Sequence, residues 1–380
     1  MQEAIIITTN AELSELSANI ASKVELLAID TEFVRERSYY PALGLIQIFD
    51  GESVYLIDPL NITEWQSFVD VLENDKIIKI IHSCSEDIEV FKTALKTRPK
   101  AMYDTQVAES FCGGQNAAGL AVLVEKYTGV KLEKGQARTN WLKRPLTSEQ
   151  LTYAASDVLY LIKVYKAQMQ VLADTQFMDY AKQDVEQIID KKFQVINLDT
   201  AWRDIKSAWQ LTPRGLAVLK ELVKWRLEVA IKKDLAVNFV VKERTLVLLA
   251  ERRPSSLSSL SNVPDIHPME VKRHGRAMLE CIQRGKQVEE EACPASIKRV
   301  AEVSGYKKYY SSLKKQVTVG ADRAGVSIEL FASKRMINQV LAYHWQVAPW
   351  SRETLPELYS GWRGEFAKEL LLKRLSELDE

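Results

Sequence analysis

Cysteine is scarce in this 380-residue chain. Cys84, Cys112, Cys281 and Cys293 are the only four, with no Cys-x-x-Cys pair and no zinc spacing among them. A disulfide framework and a structural zinc site are therefore excluded as organising elements, and the thiols are expected to stay reduced in a reducing compartment. No apolar run approaches the roughly 18 residues of a membrane span, and the opening Met1-Gln2-Glu3-Ala4-Ile5-Ile6-Ile7 has no basic leader. The expectation is a cytoplasmic protein with no membrane association. Net charge is absent too, 51 Lys and Arg balancing 51 Asp and Glu, but the balance averages two unlike halves. Residues 1–200 carry 20 basic against 29 acidic side chains, and residues 201–380 carry 31 against 22. Such an asymmetry points to a polyanion gripped by the C-terminal half, with a basic but merely solvated surface as the plain alternative.

The chain changes character at the same place. Up to about residue 195, strand-like runs (Ile5–Thr8, Leu26–Glu32, Gly44–Phe49, Ser53–Ile57 and Ile77–Ile81) alternate with helical stretches and then give way to helices. This is the pattern of an α/β layer fold. Beyond Asn197 the apolar residues recur at helical spacing, as in Leu216, Leu219, Leu222 and Val223. Phe239, Lys242, Leu249 and Ala250 recur 92 positions later as Phe331, Lys334, Leu341 and Ala342. The acidic, proline-containing stretch from Gln287 to Ser296 reads as a linker between two helical modules.

Four acidic residues carry the chemistry. Asp30 and Glu32 end an apolar strand and share one of its faces, with Thr31 on the other. Asp87 follows a second strand in Ser85-Glu86-Asp87-Ile88-Glu89, which reads as the first turn of a helix with Ser85 as its N-cap. Tyr153 and Asp157 lie four apart on a helical stretch and project together. Gathered carboxylates repel one another, so a fold that collects them usually holds cations between them. All-oxygen ligation favours Mg²⁺ or Mn²⁺, and a pair of such ions suits phosphodiester hydrolysis. Each acidic residue alone reads equally as a surface group or a cap, and Asp104 reads as the N-cap of a helix from Thr105 to Phe111.

In order and spacing these motifs resemble those of the DEDD superfamily of 3′-to-5′ exonucleases. Leu27–Arg35, Tyr39-Tyr40-Pro41 and Leu43–Gln47, then His82–Phe91, then Trp141–Thr147 leading into Tyr153–Val158, resemble the three motifs of the bacterial ribonuclease D family. The histidine that some superfamily members carry five residues before the last aspartate is here Thr152, so the resemblance is to the tyrosine subclass. Asn140 departs from the aspartate common before the tryptophan. The helical modules resemble the helicase-and-ribonuclease-D C-terminal (HRDC) domain, the second divergently.

The resemblance implies a ribonuclease H-like mixed sheet flanked by helices over 1–195, followed by two small all-α bundles over 208–288 and 296–380. It implies two divalent ions per site, with Asp30 bridging both, Glu32 and Asp157 completing the tighter site, and Asp87 acting on the second ion. Tyr153, whose phenol is a poor base near neutrality, orients the attacking water. The implied activity is removal of nucleoside 5′-monophosphates from RNA 3′ ends, with transfer RNA precursors as substrates and a monomer as the default. Lys232, Lys233, Lys242, Arg244, Arg252 and Arg253 are candidate phosphate contacts. Lys134, Arg138, Lys143 and Arg144 around Trp141 either hold the RNA strand or form a solvated loop anchored by a buried tryptophan. The alternatives are a DNA exonuclease with the same metal chemistry and a non-catalytic RNA-binding protein that lost it.

Overall fold

The structure is a computed structural model describing residues 4–132, 135 and 139–380. The chain divides into two compact units, one running to Glu36 and over Tyr40–Gln194, the other over Arg37–Tyr39 and Val195–Glu380.

In chain order the first unit runs β1 (Ile5–Ile7), α1 (Asn10–Lys23), β2 (Leu26–Val34), β3 (Ala42–Phe49), β4 (Val54–Ile57), α2 (Gln66–Glu73), β5 (Ile78–Ile81), α3 (Ser85–Val90), β6 (Met102–Asp104), α4 (Thr105–Phe111), α5 (Leu120–Thr128), α6 (Ser148–Leu159), α7 (Leu161–Leu172) and α8 (Phe177–Phe193). The six strands form one sheet in the order β1-β4-β3-β2-β5-β6. It is mixed: β2 and β4 run antiparallel to β3, whereas β5 runs parallel to β2 and to β6. β6 was not legible in the sequence, being three residues long and ending on the aspartate that caps the next helix.

Alternation sorts the sheet into two faces. Leu27, Ile29, Ile46, Ile48 and Ile57 pack with Leu13, Leu16 and Ile20 of α1, Phe68, Val71 and Leu72 of α2, and Val185 and Ile189 of α8. The opposite face presents Ala28, Leu45, Gln47 and Leu56, all fully buried. α6 lies over it, against β2, β3 and β4. Asp30 falls on this second face, whereas the first packs an extended apolar core.

A short strap seats α6. The β2–β3 register slips at Gly44, since Glu32 pairs with Leu45 but Phe33 with Leu43. Trp141, fully buried, lies against that bulge so closely that a β-carbon on Gly44 would come 2.7 Å from its Cβ and 2.8 Å from its carbonyl oxygen. Arg144 then locks the strap: Nη2 donates to the Gly44 carbonyl at 2.7 Å and to Asp58 Oδ1 at 2.9 Å, Nε to Asp58 Oδ2 at 2.5 Å, and Nη1 to the Trp141 carbonyl at 2.8 Å. Burial would raise the Asp58 carboxyl, but the Arg144 hydrogen bonds and charge together with the Leu60 N–H bring it below its ordinary range. α6 starts three residues beyond Pro145, with Thr147 and Gln150 forming a reciprocal capping box.

The second unit is helical throughout its elements: α9 (Pro213–Lys233), α10 (Val237–Val240), α11 (Glu243–Arg252), α12 (Leu257–Ser261), α13 (Pro268–Gln287), α14 (Tyr306–Ala324), α15 (Ile328–Phe331), α16 (Lys334–Trp345) and α17 (Gly361–Asp379), joined by turns and 3₁₀ segments. The 92-residue repeat reappears as two runs of long helix, four-residue helix, medium helix and closing long helix, the first with the five-residue α12 inserted before its closing helix. The repeated phenylalanines do not share a role, because Phe331 is fully buried whereas Phe239 is exposed and its neighbour Val240 fills the core. Among the described residues no helix is long and apolar enough to cross a membrane, and the four cysteines are unpaired.

Replacing Gly44 with alanine forces the strap off β3, because the obstructing atoms include backbone that cannot rotate away. The expected loss is about 1–3 kcal/mol of stability for the first unit, measured by chemical denaturation. An unchanged unfolding curve would mean that Trp141 is not held against the bulge.

Candidate active site

The site forms where β2 outruns β5. The β2–β5 ladder ends at Ala28 opposite Ile80, so Asp30 to Val34 have no β5 neighbour and the start of α3 takes that place. Asp104 shapes the entry to α3. Its carboxylate accepts from the backbone N–H groups of Ser83 at 3.0 Å and Cys84 at 2.8 Å, and from Gln106 at 2.8 Å at the start of α4. Asp104 is thus the cap expected of it, and for two segments rather than one. Ser85 is not a cap: the N-cap position of α3 is Cys84, without a side-chain hydrogen bond.

Three of the four carboxylates converge. One oxygen each from Asp30, Glu32 and Asp157 lie within 4.8 Å of one another. Asp30 and Glu32 come from one face of β2, and Asp157 descends from α6 above that face. Tyr153 lies one turn earlier on α6, its phenol close enough to Asp157 to influence that carboxyl, and its ring centroid lies 6.2 Å from that of Trp141. Asp87 is outside this trio. It is buried on α3 and accepts a hydrogen bond from the Thr31 hydroxyl at 2.5 Å. Thr31 does take the opposite side of the strand from Asp30, as alternation requires, and there it holds the fourth carboxylate. The one sequence signal for this role is the place of Thr31 between two acidic residues.

Electrostatics make the cluster unstable as bare anions. Two carboxylates about 5 Å apart repel by roughly 3 kcal/mol at an effective dielectric near 20. Three such pairs approach the whole stability of a domain, about 5–15 kcal/mol. Protons or cations must therefore neutralise part of the charge. Burial, followed by the charges of Asp87, Asp157 and Glu32, raises the Asp30 carboxyl well above its ordinary range. Burial, with Asp157 and Asp87 next, raises Glu32 to about 9. Burial raises Asp87 to about 7 against the lowering effect of the Thr31 hydrogen bond, and raises Asp157 to about 7 against that of Tyr153. The Tyr153 phenol is itself pushed up by burial and then by Asp157, Glu32 and Asp30, so it keeps its proton at neutral pH and acts as a donor.

Of the basic segment before α6, Lys134 and Arg138 lie outside the described residues. Lys143 is exposed, Arg144 is committed to the strap, and Trp141 is the buried anchor. Asn140 accepts from the Leu142 N–H at 3.1 Å, turning the chain into the strap.

The model described as 3′-5′ exonuclease matches residues 4–173, that described as HRDC domain matches 215–282, and that described as Ribonuclease D, C-terminal HRDC domain matches 304–371. The chain is 43% identical to ribonuclease D of Cronobacter turicensis over 366 residues, covering 96% of this chain and 98% of that one. It is 40% identical to ribonuclease D of Escherichia coli over 372 residues, 98% of each. The crystal structure of the Escherichia coli enzyme, described as an exoribonuclease involved in structured RNA processing, superposes with a TM-score of 0.94 over 98% of this chain and 99% of that one.

The chain belongs to the ribonuclease D family. With the family come a hydrolase, a 3′-to-5′ exoribonuclease, and a mixed-sheet exonuclease domain followed by helical HRDC modules. The exonuclease fold also implies divalent metal ions. The donor set fits them: three converging carboxylates, all oxygen, in a site whose charge calls for a cation.

These shifts predict how stability depends on pH. Carboxyls raised in the folded state bind protons more tightly folded than unfolded, so their contribution is present at low pH and is lost as pH rises. The window runs from the ordinary carboxylate range up through about 7 for Asp87 and Asp157 and about 9 for Glu32. The metal-free protein should lose this contribution progressively from about pH 5 up to about 9, and Mn²⁺ should raise the melting temperature more at pH 8 than at pH 5. Asp30→Asn should flatten both trends. Equal Mn²⁺ shifts at both pH values would contradict the assignment.

Proposed function

We propose that Asp30, Glu32, Asp87 and Asp157 hold two divalent ions, Mg²⁺ or Mn²⁺, with Tyr153 as the remaining catalytic group, and that the substrates are the 3′ extensions of transfer RNA precursors. The observation that carries this reading is the convergence of Asp30, Glu32 and Asp157 oxygens within 4.8 Å, with Tyr153 one turn from Asp157 on the same helix. When bound, the two ions would supply acidification of the attacking water and stabilisation of the leaving oxygen. Asp30, Glu32 and Asp157 would hold one ion, with Asp30 shared with the second, and Asp87, oriented by Thr31, would serve that second ion. Tyr153, kept protonated, directs the water toward phosphorus by hydrogen bonding. The P–O3′ bond of the last linkage breaks, leaving a 3′-hydroxyl on the shortened RNA and releasing a nucleoside 5′-monophosphate.

The domain division 1–195, 208–288 and 296–380 belongs to the same proposal, supported by the family-model matches within each span. The two helical modules grip the RNA backbone. Lys232, Lys233, Lys242, Arg244 and Arg252 of the first are exposed, as phosphate contacts must be, and Arg244 also pairs with Asp265 at 2.9 Å. The enzyme works as a monomer in the cytoplasm, where its unpaired thiols remain reduced.

The test is digestion of 5′-labelled strands, a 3′-extended transfer RNA and a DNA of matched sequence, with Mg²⁺. The expected result is a ladder shortening from the RNA 3′ end, absent with chelator and reduced to background in Asp157→Asn. Digestion of DNA with RNA left intact would make the protein a DNA exonuclease instead, and inertness toward both would make it a binding protein.

A further inference from the structure

Gln47 is the one polar side chain in the run Leu45-Ile46-Gln47-Ile48-Phe49 of β3. It is completely buried, and neither its amide nitrogen nor its amide oxygen has a hydrogen-bond partner. An amide left unpaired in the interior is destabilising, and an apolar side chain of similar size would remove the penalty. Its neighbours on the same face, Leu45 and Leu56, are apolar and equally buried. Packing therefore gives no reason for glutamine here.

Strand register gives one. Gln47 pairs directly with Asp30 across the β2–β3 ladder and with Leu56 on its other side. Directly opposed residues of an antiparallel pair project to the same face with β-carbons about 4.5–5.5 Å apart. That face is covered by α6, the helix bearing Tyr153 and Asp157. A donor-bearing side chain with no other partner is thus enclosed beside the central carboxylate.

We infer that Gln47 is a positioning residue for Asp30, its Nε2 donating to that carboxylate when it holds a divalent ion. The inference rests on the assignment of Asp30 as a metal ligand. Residues that hydrogen-bond a metal ligand fix its orientation, and their loss costs about 10–100-fold in metal affinity or activity.

The test uses the full chain carrying Gln47→Met, which fills similar volume without the amide, and Gln47→Leu as a second variant. Melting of the metal-free protein and Mn²⁺ affinity by calorimetry are measured for each. The expected result is a metal-free melting temperature at or above that of the wild type, with Mn²⁺ binding weakened about 10–100-fold and exonuclease activity regained as Mn²⁺ is raised. Wild-type Mn²⁺ affinity in either folded variant would overturn the inference. So would lowered metal-free melting in both, because the amide would then be structural. Asp30→Asn measured alongside separates the two claims. If it binds Mn²⁺ like the wild type, the ligand assignment itself fails; if it loses binding while Gln47→Met does not, only the role of Gln47 falls.

Discussion

Repulsion among carboxylates gathered at the end of β2 is the constraint around which the first unit is arranged. Left to solvent, Asp30, Glu32, Asp87 and Asp157 would separate. The fold brings three of them within 4.8 Å and buries them enough to lift every one above its ordinary range. An arrangement that unfavourable in the absence of cations belongs to a binding site rather than to a structural core.

Rigid contacts outside the cluster supply the restraint. On one side, Arg144 ties the strap to Asp58 and to the Gly44 bulge, and the buried Trp141 wedges against β3, so that α6 begins where Tyr153 and Asp157 reach the sheet. On the other, Asp104 gathers the N–H groups that open α3 and α4, and Thr31 takes hold of Asp87. Their part is to position the elements that carry the cluster. They act by denying β2, α3 and α6 the freedom to relax apart, and the apolar core on the far face of the sheet supplies the stability that opposes the repulsion.

Much of this was legible in the sequence because strong local patterns mark it. Five of the six strands are apolar runs with clear bounds, the acidic residues interrupt such runs, and Tyr153 and Asp157 sit at helical spacing, so these patterns alone bring the site's residues together. What escaped depends on tertiary contact. β6 is too short to carry a pattern, and the N-cap of α3 falls at Cys84 because Asp104, distant in sequence, satisfies the entering backbone. Arg144 reads as one more cation before a catalytic helix until its partners are seen. Alternation places Thr31 on the correct side of β2, but its role depends on α3 replacing β5 there. The helical repeat was visible, but its residue-level equivalence failed at Phe239, which is exposed where Phe331 is buried. One-residue register is set by packing that periodicity does not encode.

If the clustered carboxylates cage two divalent ions, hydrolysis depends on both. The most direct measurement is the number of Mn²⁺ ions bound per chain, by electron paramagnetic resonance of the wild type and of Asp30→Asn, alongside the rate of RNA digestion in the same samples. Two ions with magnetic coupling between them in the wild type, and loss of both the coupling and the digestion in the variant, are the predicted result. A variant that binds the same two ions and digests RNA at the wild-type rate would rule out Asp30 as a ligand on which hydrolysis depends.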